Sequence, residues 1–411
     1  MSNKNATKHA LLSSALAMFL SVVMLMGTTF AWFTDTASSA VNRIQAGNLD
    51  IALEMYKDGA WKSAEGETLE FIDMDDNDLW EPGCTYILPD LRVVNNGNLA
   101  LKYKLVITGI LGDAELNEAI EWTIGGLALD TEYHLAAGEV SDVLTISGHM
   151  KETAGNEYQG LSIDGISITV IATQDTVESD SYGPDYDQAA PYPVLHVDEL
   201  KASAAAGGYV SLGASITIPK EDTKNDNGYG PSGVSQLNGG IIDGNGYEIS
   251  APWAANYTWG ATIYSKGGTI RNATITGGFR GIFIAAPTQD IIIDNVVINP
   301  GAYTISCDSG SNKNLIVTNS VLNGWTSYAD TLASASFTNC KFGSNGSYAY
   351  LRPYCKTILV NCEFEDGFEM DATRTSDITL VNCTYNGTLI TQSNLTSLLG
   401  DDAANATVNN N

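Results

Sequence analysis

The chain has 411 residues, 44% of them hydrophobic, with 48 acidic against 20 basic side chains and a formal net charge of −28. That charge excludes a nucleic-acid binder, whose phosphate contacts need a basic footprint, and suits a soluble exported protein or one with a cationic partner. The length is that of two or three domains, and 40 glycines with few apolar helical stripes point to strands and turns.

Lys4, Lys8 and His9 precede an apolar run over residues 10–31. A basic n-region, an apolar h-region and small residues at Thr29 and Ala31 make a signal peptide, cut between Ala31 and Trp32. The run is also long enough to span a bilayer, but no second apolar span follows. Residues 400–411 read as a polar tail without a sorting signal. The expected mature product, residues 32 onward, is secreted, extracellular or held at the cell surface.

Residues 32–173 alternate apolar and polar side chains in short runs, such as Leu101-Lys-Tyr-Lys-Leu-Val-Ile107 and Ile163-Asp-Gly-Ile-Ser-Ile-Thr-Val-Ile171. Period-two alternation between Gly, Asn and Asp turns predicts antiparallel strands with one buried face, hence a jelly-roll-like β-sandwich. One short helix is expected within residues 113–122. The run Asp73-Met-Asp-Asp-Asn-Asp78, with carboxylates at Asp73, Asp75, Asp76 and Asp78, has two open readings. It is a calcium site, since hard cations prefer oxygen clusters, or a solvated acidic loop; no EF-hand glycine or distal glutamate supports the first. No other cofactor is expected.

Several boxes in this region carry a family resemblance. Thr29-Phe-Ala-Trp-Phe-Thr-Asp35, Ala46-Gly-Asn-Leu-Asp-Ile51, Trp80-Glu-Pro-Gly83 and Val93-Val-Asn-Asn-Gly-Asn-Leu-Ala-Leu-Lys-Tyr103 resemble, in that order, the TasA/camelysin family. The resemblance covers about residues 10–175. It implies export through a dedicated signal peptidase (SipW), a β-sandwich, and assembly with itself or other matrix proteins into extracellular fibres. Two readings of residues 32–50 stay open: a strand donated to a neighbour's sheet edge, or an ordinary first strand of its own sandwich. The metallopeptidase label given to camelysin-like proteins finds no support. The four histidines, His9, His134, His149 and His196, form no H-E-x-x-H.

Residues 174–193 are acidic and contain prolines, the composition of an extended linker. From residue 194 to 399 one motif recurs: apolar, any, Asn, small or apolar, any, apolar. It reads Ile270-Arg-Asn-Ala-Thr-Ile275, Ile293-Asp-Asn-Val-Val-Ile298, Val317-Thr-Asn-Ser-Val-Leu322, Phe337-Thr-Asn-Cys-Lys-Phe342, Leu359-Val-Asn-Cys-Glu-Phe364 and Leu380-Val-Asn-Cys-Thr-Tyr385. The asparagines Asn272, Asn295, Asn319, Asn339, Asn361 and Asn382 are 20 to 24 residues apart. Such a period is that of a solenoid with three short strands per coil. The predicted fold class is therefore all-β, a sandwich followed by a right-handed parallel β-helix. The asparagines are expected to be structural, supplying the left-handed backbone at a corner and bonding to one another along the axis.

None of the six cysteines is in a C-x-x-C pair, which excludes a zinc ribbon. Cys340, Cys362 and Cys383 follow a ladder Asn, at a position wanting a small inward side chain; free thiols are the preferred reading over a bridge. Cys307 and Cys355 are loop candidates for a disulfide. The helix-like Val197-Asp-Glu-Leu-Lys-Ala-Ser-Ala-Ala-Ala206 and Leu237-Asn-Gly-Gly-Ile-Ile-Asp-Gly-Asn-Gly246 resemble the capped start of pectate-lyase-like β-helices, a likeness specific for fold only.

No catalytic residue is assigned. Arg271 and Arg280 with Asp290 and Asp294, or the acids from Glu363 to Asp371, are the material from which a polysaccharide lyase or glycosidase would have to be built. The preferred reading is a non-enzymatic surface or matrix protein whose β-helix binds polysaccharide. Its candidate sugar contacts are the aromatics Trp253, Tyr257, Trp259, Trp325, Tyr328 and Tyr354; the other open reading has them covering the coil ends and packing against loops. A polysaccharide-degrading enzyme is the alternative.

Overall fold

The computed structural model describes residues 49–67, 69–72, 79–113, 115–175, 191–219, 236–251, 260–329, 331–375 and 377–410. The signal peptide with its Ala31–Trp32 cut, the acidic run from Asp73 to Asp78, most of the linker, and Trp253, Tyr257 and Trp259 lie outside the described residues. Contacts divide the chain into two compact units, Met1–Ala190 and Pro191–Asn411.

The first unit is built from antiparallel sheets. Ile51–Lys57 lies between Ala60–Ser63 and Leu91–Asn95, and Leu101–Gly112 between Ile163–Gln174 and Tyr133–Leu135. Ile146–Met150 lies between Thr85–Ile87 and Ile120–Ile124, which also pairs with Leu127–Ala128. The alternation does what period two demands. In Leu91–Asn95, Leu91, Val93 and Asn95 point inward. They join Met55, Leu105, Trp122 and Ile146 in one core. Asn95 is a buried polar residue in that core, and it is satisfied: its amide donates to Leu99 O (2.8 Å) and Ala136 O (3.0 Å), and its Oδ1 accepts from Gly97 N. Trp80, from the Trp-Glu-Pro-Gly box, packs with Phe71, Tyr86 and Trp122. The expected short helix is Glu115–Glu118.

The second unit is a parallel β-helix. Its larger sheet has 16 strands and follows the Asn motif from coil to coil; a second, seven-stranded sheet runs from Gln236–Leu237 to Glu369–Met370. The motif is a corner. All six asparagines have φ between 51° and 54°, the left-handed region that Asn tolerates better than most side chains. Two residues before each Asn stand Ile270, Ile293, Val317, Phe337, Leu359 and Leu380, all 0% exposed. Immediately after it stand Ala273, Val296, Ser320, Cys340, Cys362 and Cys383, all inside the coil. The left-handed residue breaks the in–out alternation, so both flanking strands keep their apolar side inward.

The axial bonds between asparagines run from Asn295 to Asn272 (2.9 Å), Asn339 to Asn319 (3.2 Å) and Asn361 to Asn339 (3.3 Å). Asn319 departs from this: its amide donates to Asp294 Oδ1 at 2.9 Å. Asn245 adds a further left-handed corner, φ 49°, in the preceding coil. There the Asp243-Gly-Asn-Gly loop needs glycine, because a Cβ on Gly244 would lie 2.5 Å from the Ala273 Cβ.

Helix Val197–Ala205 inserts Leu200 and Ala204 into the first end of the core. The far end corrects an expectation. Residues 400–410 are not a free polar tail but a cap: Asp401–Asn405 forms a 3-10 turn with Ala403 buried, and Thr407–Val408 pairs in parallel with Ile378–Val381. Short apolar residues among polar ones suffice there, because one face only is covered. The cysteines hold a second correction. None of the six is in a disulfide, and Cys307 and Cys355 are both buried, Cys307 within a strand and Cys355 at a bend between two strands. Cys307 is a strand residue whose thiol burial pushes up to about 11.

Candidate functional site

The polar clusters on the Asn side are structural. Asp243 is 5% exposed. Its Oδ2 accepts from Arg271 Nε (2.7 Å) and its Oδ1 from Asn245 N and the Asn272 amide (both 3.1 Å), so no free carboxylate remains. Asp290 binds the backbone and amide of Asn314, and Asp294 binds Thr318 and Asn319. Arg280 belongs to the other sheet, where it meets Asp308 at 3.3 Å. The lyase-like grouping of Arg271, Arg280, Asp290 and Asp294 is therefore not assembled. Of the later acids, Glu365 is paired with Lys341 at 2.9 Å, while Glu369 and Asp371 lie at the end of the seven-stranded sheet.

That sheet carries the aromatic face. Parallel, nearly in-register pairing stacks like positions at one rung, about 4.8 Å, per coil. Arg280, Tyr303, Trp325, Tyr350 and Glu369 form one column. Phe283, Ser306, Ser327 and Arg352 form the next outward column. Tyr303 stacks on Trp325 with centroids 4.4 Å apart, and Tyr348 lies offset at 6.0 Å, leaving part of that indole face open. Tyr350 meets Trp325 edge-on. The Arg352 guanidinium lies 5.2 Å from the Trp325 ring and 5.3 Å from Tyr350. Its Nε donates to Asp371 Oδ2 at 3.0 Å.

These side chains line a groove of about 390 Å³, with Trp325, Tyr348, Tyr350, Arg352 and Glu369 around the turn at Ser344, Gly346 and Ser347. That volume is at the small end of ligand sites, which start at about 300 Å³. The turn is held in place by Asn345. Its Oδ1 accepts from Ser347 N (3.0 Å) and Tyr348 N (2.8 Å), and its amide donates to Pro300 O and Gly301 O in an earlier coil. Tyr348 is thus presented at the rim, 37% exposed, by a fixed loop. Burial raises the Tyr303 and Tyr350 hydroxyl pKa values, so both rings stay neutral donors. Burial also pulls the Asp371 carboxyl upward, but hydrogen bonds from Thr373 and the Arg352 charge outweigh it and hold the group below its ordinary value.

Trp325 is in the groove. Tyr328 is not: Trp325–Tyr328 is one strand, and three positions on from an outward residue the chain points inward. Tyr328 is 1% exposed and bonds Thr357 Oγ1 at 2.8 Å, so it is withdrawn from the candidate contacts. Tyr354 is half-buried outside the groove lining, with Arg374 over its ring at 5.6 Å. Sequence reading missed Tyr303, Tyr348, Tyr350, Arg352 and Asn345 as members of one site. The available signal was the recurrence of an aromatic once per coil at Tyr303, Trp325 and Tyr350.

No family model matches the sequence, and no curated protein is similar to it. Among solved structures, the chain is similar at 8% identity to the catalytic domain of a GH87 alpha-1,3-glucanase in complex with nigerose, covering 89% of this chain and 99% of that one, with a TM-score of 0.21. Two variants of that domain, also with nigerose, give TM-scores of 0.20 at the same identity. Likeness at this level carries no argument about chemistry.

Proposed function

We propose that this is a non-enzymatic, secreted surface or matrix protein whose β-helix binds a polysaccharide along the aromatic face of its seven-stranded sheet. The observation that carries the reading is the groove beside Trp325, where ring surface, an arginine fork and an open carboxylate converge on a fixed turn. Sugar rings offer an apolar C–H face and a rim of hydroxyls, and this pairing of aromatic surface with convergent donors and acceptors is complementary to both. Export and assembly are assigned to the first unit by the TasA/camelysin resemblance of its boxes.

Affinity electrophoresis of the full chain in gels containing different polysaccharides tests the binding. Retardation by at least one polymer, relieved by Tyr348→Ala and Trp325→Ala, is the expected result. Equal mobility in every gel sinks the reading. A reducing-sugar and unsaturated-uronate assay on the same polymers addresses the enzyme alternative: sustained turnover, lost with Glu369→Gln, replaces binding by catalysis. Electron microscopy of protein beginning at Trp32, against protein beginning at Asp50, tests assembly. Identical monomers from both remove strand donation from the account.

A further inference from the structure

The charges around the groove select the class of sugar it takes, an inference that rests on the glycan reading above. Two charged side chains line the open space, Arg352 and Glu369. Arg352 also bonds Asp371, which is only 8% exposed and outside the lining, at 3.0 Å. Glu369 is exposed and opens on the groove. The lining therefore carries one charge of each sign. A uronate brought here meets Glu369 with like charge, and a cationic amino sugar meets Arg352 with like charge.

An uncharged sugar meets neither penalty. Its hydroxyls donate to Glu369 and accept from the outer Arg352 nitrogens and the hydroxyls of Ser344 and Ser347, while its C–H face covers Tyr348. We propose that the groove binds an uncharged pyranose unit of a neutral polysaccharide, with Glu369 as the acceptor that recognises its hydroxyls. Charge-assisted hydrogen bonds of this kind are the strong ones, and they discriminate by geometry rather than by net charge.

The test is isothermal titration of the full chain with soluble laminarin and dextran as neutral polymers, polygalacturonate and alginate as acidic ones, and chitosan as a cationic one. The expected result is binding of a neutral polymer in preference to all charged ones, insensitive to salt. Glu369→Gln should weaken it by roughly tenfold, because the amide oxygen still accepts but without the charge that strengthens the bond, while the melting temperature is unchanged. Preference for an acidic polymer, strengthened by Glu369→Gln and abolished by Arg352→Gln, overturns the inference but leaves the glycan reading standing. Preference for chitosan does the same. Absence of binding to all five polymers overturns both.

Discussion

Asn339 lies midway along the corner ladder and offers a quantitative test of why asparagine recurs there. Its φ is 54°. An alanine at that angle costs roughly 1–2 kcal/mol, because its Cβ crowds the following carbonyl. Asn339 also donates to Asn319 at 3.2 Å and accepts from Asn361 at 3.3 Å. Both contacts are long, so each is placed at the low end of the usual net value, about 0.5 kcal/mol. Asn339→Ala should then destabilise its coil by ~2–3 kcal/mol, most of it backbone strain. Asn339→Gly loses the same two bonds but removes the strain, at a chain-entropy cost of about 0.5–1 kcal/mol. It should therefore sit closer to the wild type than alanine does, although it is the larger truncation. Native-state hydrogen exchange on peptides spanning Ser334–Thr338 and Lys341–Gly343 reads this locally, without interference from the first unit. Equal exchange for the two variants, or a worse result for glycine, refutes the left-handed-corner argument.

Three further outcomes follow from the same geometry. The Trp325 indole N–H is buried without a hydrogen-bond acceptor among the described residues, so Trp325→Phe keeps a ring in the stack, relieves that donor, and should change stability by less than about 1 kcal/mol, measured by urea unfolding. Thiol titration of the native protein should modify Cys84 and leave the five buried β-helix thiols unreacted, Cys307 being pushed up to about 11; after denaturation all six should react, and fewer would mean a disulfide. Asp371 titrates below its ordinary value in the folded state; its stabilising contribution is complete above the ordinary carboxyl value of about 3.9 and is lost as pH falls through the lower folded one. Melting curves of Asp371→Asn should therefore lack part of the wild-type loss of stability in that acid window, and parallel pH profiles would contradict this.

Much of the fold was legible because it is written in short-range repetition. The Asn motif places three inward positions and one left-handed residue in six, and every coil from Ile270 to Tyr385 repeats it. Asn245 escaped because its corner is Gly244-Asn-Gly-Tyr247, four residues where the next coil uses two, Asn272 and Ala273. The cap after Leu399 escaped because covering a coil end takes few apolar side chains and has no period. The groove was only half legible. Trp325 was singled out as an aromatic, but its partners come from separate coils, and nothing local says that Tyr303, Tyr348 and Arg352 converge on it. Tyr328 shows the reverse error. It was grouped with the candidate contacts as an aromatic, whereas strand alternation from Trp325 already required it to point inward.

Hydrogen exchange of the full chain, with and without a saturating neutral polysaccharide, tests the binding face most directly. The account predicts slowed exchange in peptides covering Trp325–Tyr328 and residues 344–353, with the Asn corners and the first unit unchanged. Binding accompanied by protection along the Asn corners, or in the first unit alone, would contradict it.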